Sequence, residues 1–211
     1  MLTEKLMKSV ALFLASAVFL TGCARLKGNT VYEYVPSLPG GTIAVKAQMT
    51  EFQDLRPEWD RKQTRDVEPV ATKLTRKIYD DFKGSEVFTS IFTGKDASPD
   101  VIIKGRIYNF YWKNRYKWYA FVPYLNLILL FGVPYGQFKG EVKLVMDVVS
   151  ARTGQVIASY EESALREDTY NAYRVLGGYL GGTETSEALR VNVENIKQRM
   201  LNDKATSLAG V

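Results

Sequence analysis

Residues 138–161 read FKGEVKLVMDVVSARTGQVIASYE and contain two apolar runs joined by a turn sequence at 151–154. In the first run the apolar residues fall on alternate positions and the charged residues fall between them. The apolar set is Phe138, Val142, Leu144, Met146 and Val148, and the charged set is Lys139, Glu141, Lys143 and Asp147. Because successive side chains point to opposite faces of a strand, this pattern predicts a half-buried strand at 138–149. The turn predicts an antiparallel hairpin with a partner strand at 155–161.

Before the hairpin in the chain, the spacing between apolar residues changes from two positions at 42–49 to about four positions at 67–83. Residues 42–49 alternate, and this alternation predicts a strand. Apolar residues four positions apart then predict an amphipathic helix at about 67–83, with Pro69 in its first turn and Gly84 at its end. The helix stripe consists of Val70, Leu74, Ile78 and Phe82.

The remaining elements complete the predicted order. A polar loop is expected at 51–66, a short strand at 85–92, a turn at 94–99 and a longer strand from Val101. A last helix is expected from Thr183 or Thr185, with Leu189, Val193, Ile196 and Met200 on one stripe. The sequence therefore predicts the α+β class, with a mixed or antiparallel sheet of about five strands and two helices packed on one face.

The N-terminus has the features of a lipoprotein signal peptide. Lys5 and Lys8 form a basic region, and residues 10–20 form an apolar run too short to span a membrane as a helix. The run ends in Leu20-Thr21-Gly22-Cys23, which is the order of a lipobox. We predict a signal peptide at 1–22 and a covalent lipid, with acyl chains such as palmitate, on Cys23.

The predicted anchor has consequences for location. Cys23 is the single cysteine of the chain, so an intramolecular disulfide is excluded. By resemblance to enterobacterial sorting, Ala24 in place of Asp favours the outer membrane over retention in the inner membrane. We expect the protein to be anchored in the outer membrane and to face the periplasm.

Removal of 22 residues from 211 leaves 189, which suits one domain. The predicted organisation is a lipidated N-terminus and tether at 23–41 and a single domain at 42–211, with an aromatic-rich apolar insertion at about 113–137. The net charge of the whole chain is +5, and without residues 1–22 the chain has 26 basic and 22 acidic side chains, a net charge of +4. In the periplasm such a surface meets lipid phosphates, lipopolysaccharide, peptidoglycan carboxylates or acidic polysaccharide rather than nucleic acid.

Three short motifs carry a resemblance to a known group of proteins. They lie at 43–45, at 54–56 ahead of a helix that leads into 83–91, and in the hairpin at 147–157. In this order they resemble periplasmic outer-membrane lipoproteins with a TolB N-terminal-like domain, a group that includes CsgG, LpoB and PelC. The resemblance spans about residues 42–201. It implies the fold, whereas the group's members are pores, rings and activators, so it does not select a function.

The composition argues against catalysis. The chain has no histidine, which removes the commonest general base and zinc ligand, and its cysteine is assigned to the anchor. The acidic residues Glu161, Glu162, Glu167 and Asp168 are interpreted as solvated charges. Adjacent residues on a strand point to opposite faces, so they do not flank one bond. We predict a non-enzyme without a metal or a cofactor other than the lipid. Asp54 and Arg56 are expected to have a structural role.

The segment 106–136 is the unusual part of the chain. Read at period two, one face carries Tyr108, Phe110, Trp112, Tyr116 and Trp118, and the other carries Lys113, Arg115 and Lys117. An apolar run bounded by prolines follows. The predicted membrane or partner contacts are Trp112, Lys113, Arg115, Tyr116, Lys117, Trp118, Phe121, Tyr124, Leu127, Leu129 and Phe131.

Three interpretations of this apolar run are open. A membrane-spanning helix is disfavoured, because about 16 residues reach roughly 24 Å, short of the ~30 Å hydrocarbon core. The run is then either a core element of the domain or an exposed surface that meets lipid or another subunit. Aromatic rings beside lysine and arginine are typical of the lipid headgroup layer. They also suit single-stranded nucleic acid, against which the predicted compartment argues.

Two main functional hypotheses follow, beside a third, a hydrolase, against which the composition argues. The first is a non-catalytic outer-membrane lipoprotein that acts in envelope biogenesis or in the export of a polymer or protein, through assembly as a homo-oligomer or in an envelope complex. The second is a monomeric lipoprotein that binds and activates a periplasmic enzyme such as a peptidoglycan synthase. The oligomeric state in detergent distinguishes the two.

Overall fold

A computed structural model describes residues 42–63, 68–94, 98–122, 129, 131–171, 173–174 and 183–203. The strands are β1 (Ile43–Met49), β2 (Gln53–Asp54), β3 (Phe88–Phe92), β4 (Val101–Tyr116), β5 (Gly136–Ser150) and β6 (Val156–Tyr170). The α-helices are α1 (Glu58–Gln63), α2 (Val70–Gly84) and α3 (Thr183–Asp203), and Trp118–Phe121 forms a 3-10 turn. The predicted signal peptide, Cys23 and tether lie outside the described residues.

The strands form one mixed sheet in the order β3-β1-β4-β5-β6, with the two-residue β2 beside β4. β1 runs parallel to both β3 and β4, whereas β4, β5 and β6 are antiparallel neighbours. Helices pack on this sheet, so the predicted α+β class is confirmed. Helix α1 is an addition, because it lies where a polar loop was predicted.

The two predicted apolar stripes form the core. Leu74, Ile78 and Phe82 of α2 are fully buried. The stripe of α3 is fully buried as well, and it consists of Leu189, Val193, Ile196 and Met200. Both helices pack on the sheet face that carries the inward residues of β1, β4 and β5, in one continuous cluster. The opposite face of the sheet is called the open face below.

A buried ion pair joins the two long helices. Lys197 of α3 places its Nζ 2.9 Å from one carboxylate oxygen of Asp81 in α2, and it donates a hydrogen bond to Ser85 Oγ at 3.1 Å. Burial raises the pKa of the Asp81 carboxyl, although Lys197 opposes the shift. Residues 116 positions apart in the chain are thereby tied together.

The expected structural role of Asp54 and Arg56 is confirmed. The buried Arg56 guanidinium donates to both carboxylate oxygens of Asp54, at 2.9 and 2.8 Å, and to Asp60 at 3.3 Å. Asp60 in turn accepts a hydrogen bond from the Phe110 backbone N–H at 2.9 Å. This cluster ties α1 to the edge of β4, next to β2.

A β-bulge changes the predicted faces of β4. The register against β5 shifts between Ile107 and Asn109, so Ile107 and Phe110 both point into the core. Tyr108 points to the open face, where the Lys143 ammonium lies 5.7 Å from its ring centre. The prediction that Tyr108 shares a face with Phe110 is therefore wrong, because one extra residue reverses the alternation.

Several predicted boundaries also differ from the structure. β6 continues to Tyr170, nine residues beyond the predicted end at 161. Helix α2 begins at Val70, so Pro69 caps the helix rather than lying in its first turn. The short third strand begins at Phe88 instead of residue 85.

Candidate functional site

The candidate site lies at one end of the antiparallel strands. Gly140 of β5 allows close contact with α3, because a Cβ atom there would overlap the backbone of Thr185. Beyond this point β4 and β5 continue as a hairpin to the pair Tyr116 and Gly136. The predicted insertion at 113–137 therefore overlaps both strands, and the connection between them is 117–135.

An aromatic ladder supports this end of the sheet from within. Its rings are Trp112, Phe138, Tyr170, Tyr135, Tyr116 and Phe121, each in contact with the next. The Phe138 and Tyr170 rings stack with their centres 4.3 Å apart. The remaining contacts are tilted or edge-to-face, at 5.3 to 6.3 Å. The ladder connects the buried part of the sheet to its exposed end.

Backbone and hydroxyl hydrogen bonds fix the connection. Tyr119 donates from its hydroxyl to the Pro134 carbonyl at 2.6 Å. The Tyr135 N–H donates to the Tyr170 carbonyl at 2.7 Å, and the Tyr135 carbonyl accepts from Lys117. Burial raises the pKa of Tyr135. The aromatic side chains around this framework are therefore held in defined positions.

Large aromatic side chains are exposed at the same end, and we call them the aromatic tip. The tip consists of Tyr116, Trp118, Phe121, Phe131 and Tyr173. Phe131 is 85% exposed, Trp118 is 71% exposed and Phe121 is 63% exposed. Exposed apolar groups gathered in one place are unusual in a soluble domain and mark a contact with membrane or protein.

A basic strip lies beside the tip and consists of Lys113, Arg115 and Lys117. Lys113 and Arg115 alternate with the aromatic face of β4 and point to the open face, as predicted. None of the three forms an ion pair with a described residue. Lys113 lies directly across from Lys139 on β5, an arrangement that repels. The strip is therefore a surface that favours anions.

The structure places the predicted apolar and aromatic contact residues in different environments. Trp118, Phe121, Phe131 and Tyr116 are exposed, whereas Leu129 is buried. Trp112 is half-buried against Phe138 and belongs to the ladder. Tyr124 and Leu127 lie outside the described residues. The core and exposed interpretations thus each describe part of the segment, and no described helix is long and apolar enough to span a bilayer.

Residues that the sequence pattern missed complete the site. Tyr170 and Tyr135 form the centre of the ladder, and the Tyr170 hydroxyl donates to Asn114 Oδ1 at 2.7 Å. Tyr173 adds an exposed ring next to Gly132. Tyr170 was missed because β6 was predicted to end at 161. No regular apolar spacing marks the second half of β6, because Glu162, Arg166 and Asp168 share a face with Tyr160, Ala164 and Tyr170.

The four acidic residues lie on β6, each near its own cation. Glu161 pairs with Lys143, and Glu162 lies 2.7 Å from Arg199 on the opposite face. Glu167 lies 3.5 Å from Lys139, and Asp168 lies 2.7 Å from Arg174. Among the described residues, no group of three or more Cys, His, Asp or Glu is placed to hold a metal ion.

We expect single amide substitutions of Glu161, Glu162, Glu167 and Asp168 to leave function and folding intact. Each change removes one ion pair at or near the surface, and such pairs contribute about 0–1 kcal/mol. Complementation of a deletion strain and thermal melting of each variant provide the measurement. Complete loss of function in one variant that still folds would revive a hydrolytic mechanism.

Comparison with known proteins gives weak structural similarity only. No family model and no curated protein matches the chain. The chain is similar to uncharacterized lipoprotein B from Nitrosomonas europaea, with a TM-score of 0.48 and 11% identity over 84% of this chain and 97% of that one. It is also similar to the PelC dodecamer from Paraburkholderia phytofirmans, with a TM-score of 0.43 and 8% identity over 77% of this chain and 92% of that one.

A DUF330 protein from Xanthomonas campestris gives the same TM-score of 0.43, at 8% identity over 81% of this chain and 92% of that one. PelC is a member of the group named from the sequence motifs, whereas resemblance to CsgG and LpoB stays a prediction. At TM-scores below 0.5 these similarities assign no function to the chain. Its fold class rests on its own sheet and helices.

Proposed function

We propose that the chain is a lipid-anchored, non-catalytic protein of the bacterial envelope that acts through assembly. It sits on the periplasmic side of the outer membrane and acts in envelope biogenesis or in the export of a polymer or protein. The aromatic tip and the basic strip are its contact with the lipid surface.

The observation that carries this proposal is the combination, at one end of the sheet, of exposed rings and of cations that form no ion pair with a described residue. Trp118 and Phe131 are the most exposed of the large aromatic side chains at this end. Lys113 and Arg115 lie on β4, five and three residues before Trp118. Rings of this kind partition into the headgroup layer, and long basic side chains reach the phosphates from there.

The residue inventory supports a non-catalytic role. The sequence has no histidine, and its single cysteine is Cys23 of the predicted lipobox. The acidic residues of β6 each have a cation partner, which leaves them suited to a stable surface rather than to proton transfer. Assembly and contact are then the functions that the remaining exposed features serve.

Replacement of Cys23 by alanine tests the anchor. We expect the Cys23→Ala chain to remain unprocessed or to move from the outer-membrane fraction to the soluble periplasmic fraction, because the thiol is the attachment point for the acyl chains. Immunoblots of fractionated cells give the measurement, with Ser37→Ala as a matched control beyond the lipobox. Native levels of the Cys23→Ala chain in the outer membrane would contradict the proposed anchor.

The mass of the detergent-solubilised wild-type protein tests assembly. We expect a complex of several copies by light scattering coupled to size exclusion. A strict monomer at all concentrations would contradict self-assembly.

A further inference from the structure

The start of β1, which the predicted tether precedes in the chain, and the aromatic tip lie at opposite ends of the sheet. β1 enters at Ile43, and its residue Ala47 is level with Val101 at the start of β4. The tip follows Tyr116, at the other end of the 16-residue β4. At about 3.3 Å per residue, the tip is roughly 60 Å from Ile43 along the strands.

The length of chain before β1 limits how the domain stands. Residues 24–42 separate Cys23 from β1. An unrestrained chain of this length spans roughly 25 Å, and a fully extended one spans about 65 Å. A domain standing upright with its tip in the membrane would need this segment drawn out almost completely. A domain with the start of β1 at the membrane and the tip pointing away would hold the tip about 60 Å from the lipid.

From these dimensions we propose that the domain lies along the membrane, with the open face of its sheet against anionic phospholipid headgroups. This inference rests on the proposed function, since it takes the anchor on Cys23 and the lipid contact of the tip as given. In this orientation both ends of the sheet reach one surface without stretching the tether.

Charge decides which long side faces the lipid. The open-face residues of the strands include seven basic and four acidic side chains. The basic ones are Lys46, Lys104, Arg106, Lys113, Arg115, Lys139 and Lys143, and the acidic ones are Glu141, Asp147, Glu161 and Glu167. Lys46, Lys104, Lys113 and Arg115 form no ion pair with a described residue. The uncompensated cations therefore extend from β1 to the tip.

The other side of the sheet is less suited to this contact. Helices α2 and α3 cover it and carry seven basic and six acidic side chains, which nearly balance, and Arg76, Arg190 and Arg199 lie in ion pairs at 3.0 Å or less. The open face also presents Leu165, which is 45% exposed and stands across from Glu141. Cations and an apolar side chain on one surface match a headgroup layer of anionic lipid.

Environment-sensitive dyes on single introduced cysteines test the orientation. The lipidated full chain is reconstituted into vesicles of phosphatidylcholine and phosphatidylglycerol that contain a headgroup-level quencher. Acylated Cys23 does not react, so the dye attaches at Ser163→Cys on the open face, Gln198→Cys on the outer side of α3, or Phe131→Cys at the tip. We expect quenching at residues 163 and 131 and none at residue 198.

The outcomes separate this inference from the proposed function. Quenching at 131 but not at 163 would show an upright domain and overturn the inference while the tip contact stands. Equal quenching at 163 and 198 would also overturn it. No quenching at 131 would contradict the lipid contact of the tip itself.

A variant with fewer basic residues on the open face tests whether that face recognises anionic headgroups. Each cation near an anionic surface raises the affinity for that surface about fivefold. The changes Lys104→Gln, Lys113→Gln and Arg115→Gln together should therefore weaken the binding of the open face to anionic vesicles by roughly a hundredfold. Binding of the open face should be equally weak when the vesicles contain phosphatidylcholine alone. Quenching at residue 163 that neither change reduces would exclude recognition of anionic headgroups.

Discussion

Replacement of Leu74 by aspartate is expected to unfold the domain. Leu74 is fully buried in α2, within the cluster that joins both helices to the sheet. A carboxylate at this position loses its hydration and has no partner, which costs several kcal/mol. The whole stability of a domain this size is about 5–15 kcal/mol, so most or all of it is lost.

The measurement is a thermal or urea melt followed by circular dichroism. Arg76→Asp on the same helix is the matched control, because Arg76 is exposed and its pair with Glu68 contributes about 1 kcal/mol or less. Ile196→Asp should repeat the effect from α3, where Ile196 is fully buried. A cooperative melt of Leu74→Asp that coincides with wild type would show that α2 does not pack as described.

Loss of two tip aromatics is expected to abolish most of the affinity for lipid. Burying one large aromatic side chain contributes roughly 1.5–3 kcal/mol, so Trp118→Ser with Phe131→Ser should weaken vesicle binding by about two orders of magnitude or more. Trp112 is left unchanged, because it supports the ladder against Phe138 and its loss would disturb the fold.

Binding is measured by co-sedimentation of residues 24–211 with anionic vesicles, so that neither the signal peptide nor the acyl chains mask the contribution of the tip. Leu55→Ser with Val156→Ser is the matched control, since both residues are exposed apolar side chains away from the tip. The melting temperature of all variants should stay near that of wild type. Unchanged binding of the tip variant would mean that the tip does not contact lipid, and a collapsed melt would mean that Trp118 and Phe131 belong to the core.

The sequence pattern predicted those parts of the fold that depend on repeated apolar spacing. The stripes of α2 and α3, and the buried side of β5 from Phe138 to Val148, are as expected because their apolar residues recur at the spacing of a helix or of a strand. The bulge in β4 was not predictable in this way. One inserted residue at Tyr108 reverses the alternation, and no change of composition marks it.

The end of β6 and helix α1 were missed for a related reason. Charged residues fill the second half of β6, and their stability there depends on cations from other elements, such as Arg199 and Arg174. Helix α1 depends on the Arg56 contacts with Asp54 and Asp60, which bring residues together that share no apolar period. Neither kind of pairing can be read from spacing along the chain.

The candidate site was predicted in part. The alternation of aromatic and basic residues on β4 located the exposed rings and the basic strip, since it requires only local geometry. The ladder could not be anticipated, because Tyr135 and Tyr170 meet only once three strands are in register. The contact between Tyr135 and Tyr170 is part of the ladder that holds the exposed aromatic tip in place.

The central claim is that the tip enters the headgroup layer, and the fluorescence of Trp118 tests it most directly. The chain has three tryptophans, so Trp59→Phe with Trp112→Phe, which keeps an aromatic ring against Phe138, leaves Trp118 as the single reporter. The fluorescence of Trp118 is measured in two samples. One is the protein in buffer without lipid or detergent, and the other is the lipidated protein in vesicles that contain brominated acyl chains. We expect a blue-shifted emission in vesicles, quenching by bromine near the headgroups and loss of access to aqueous iodide. Emission and iodide access of Trp118 that are identical with and without vesicles would contradict the claim.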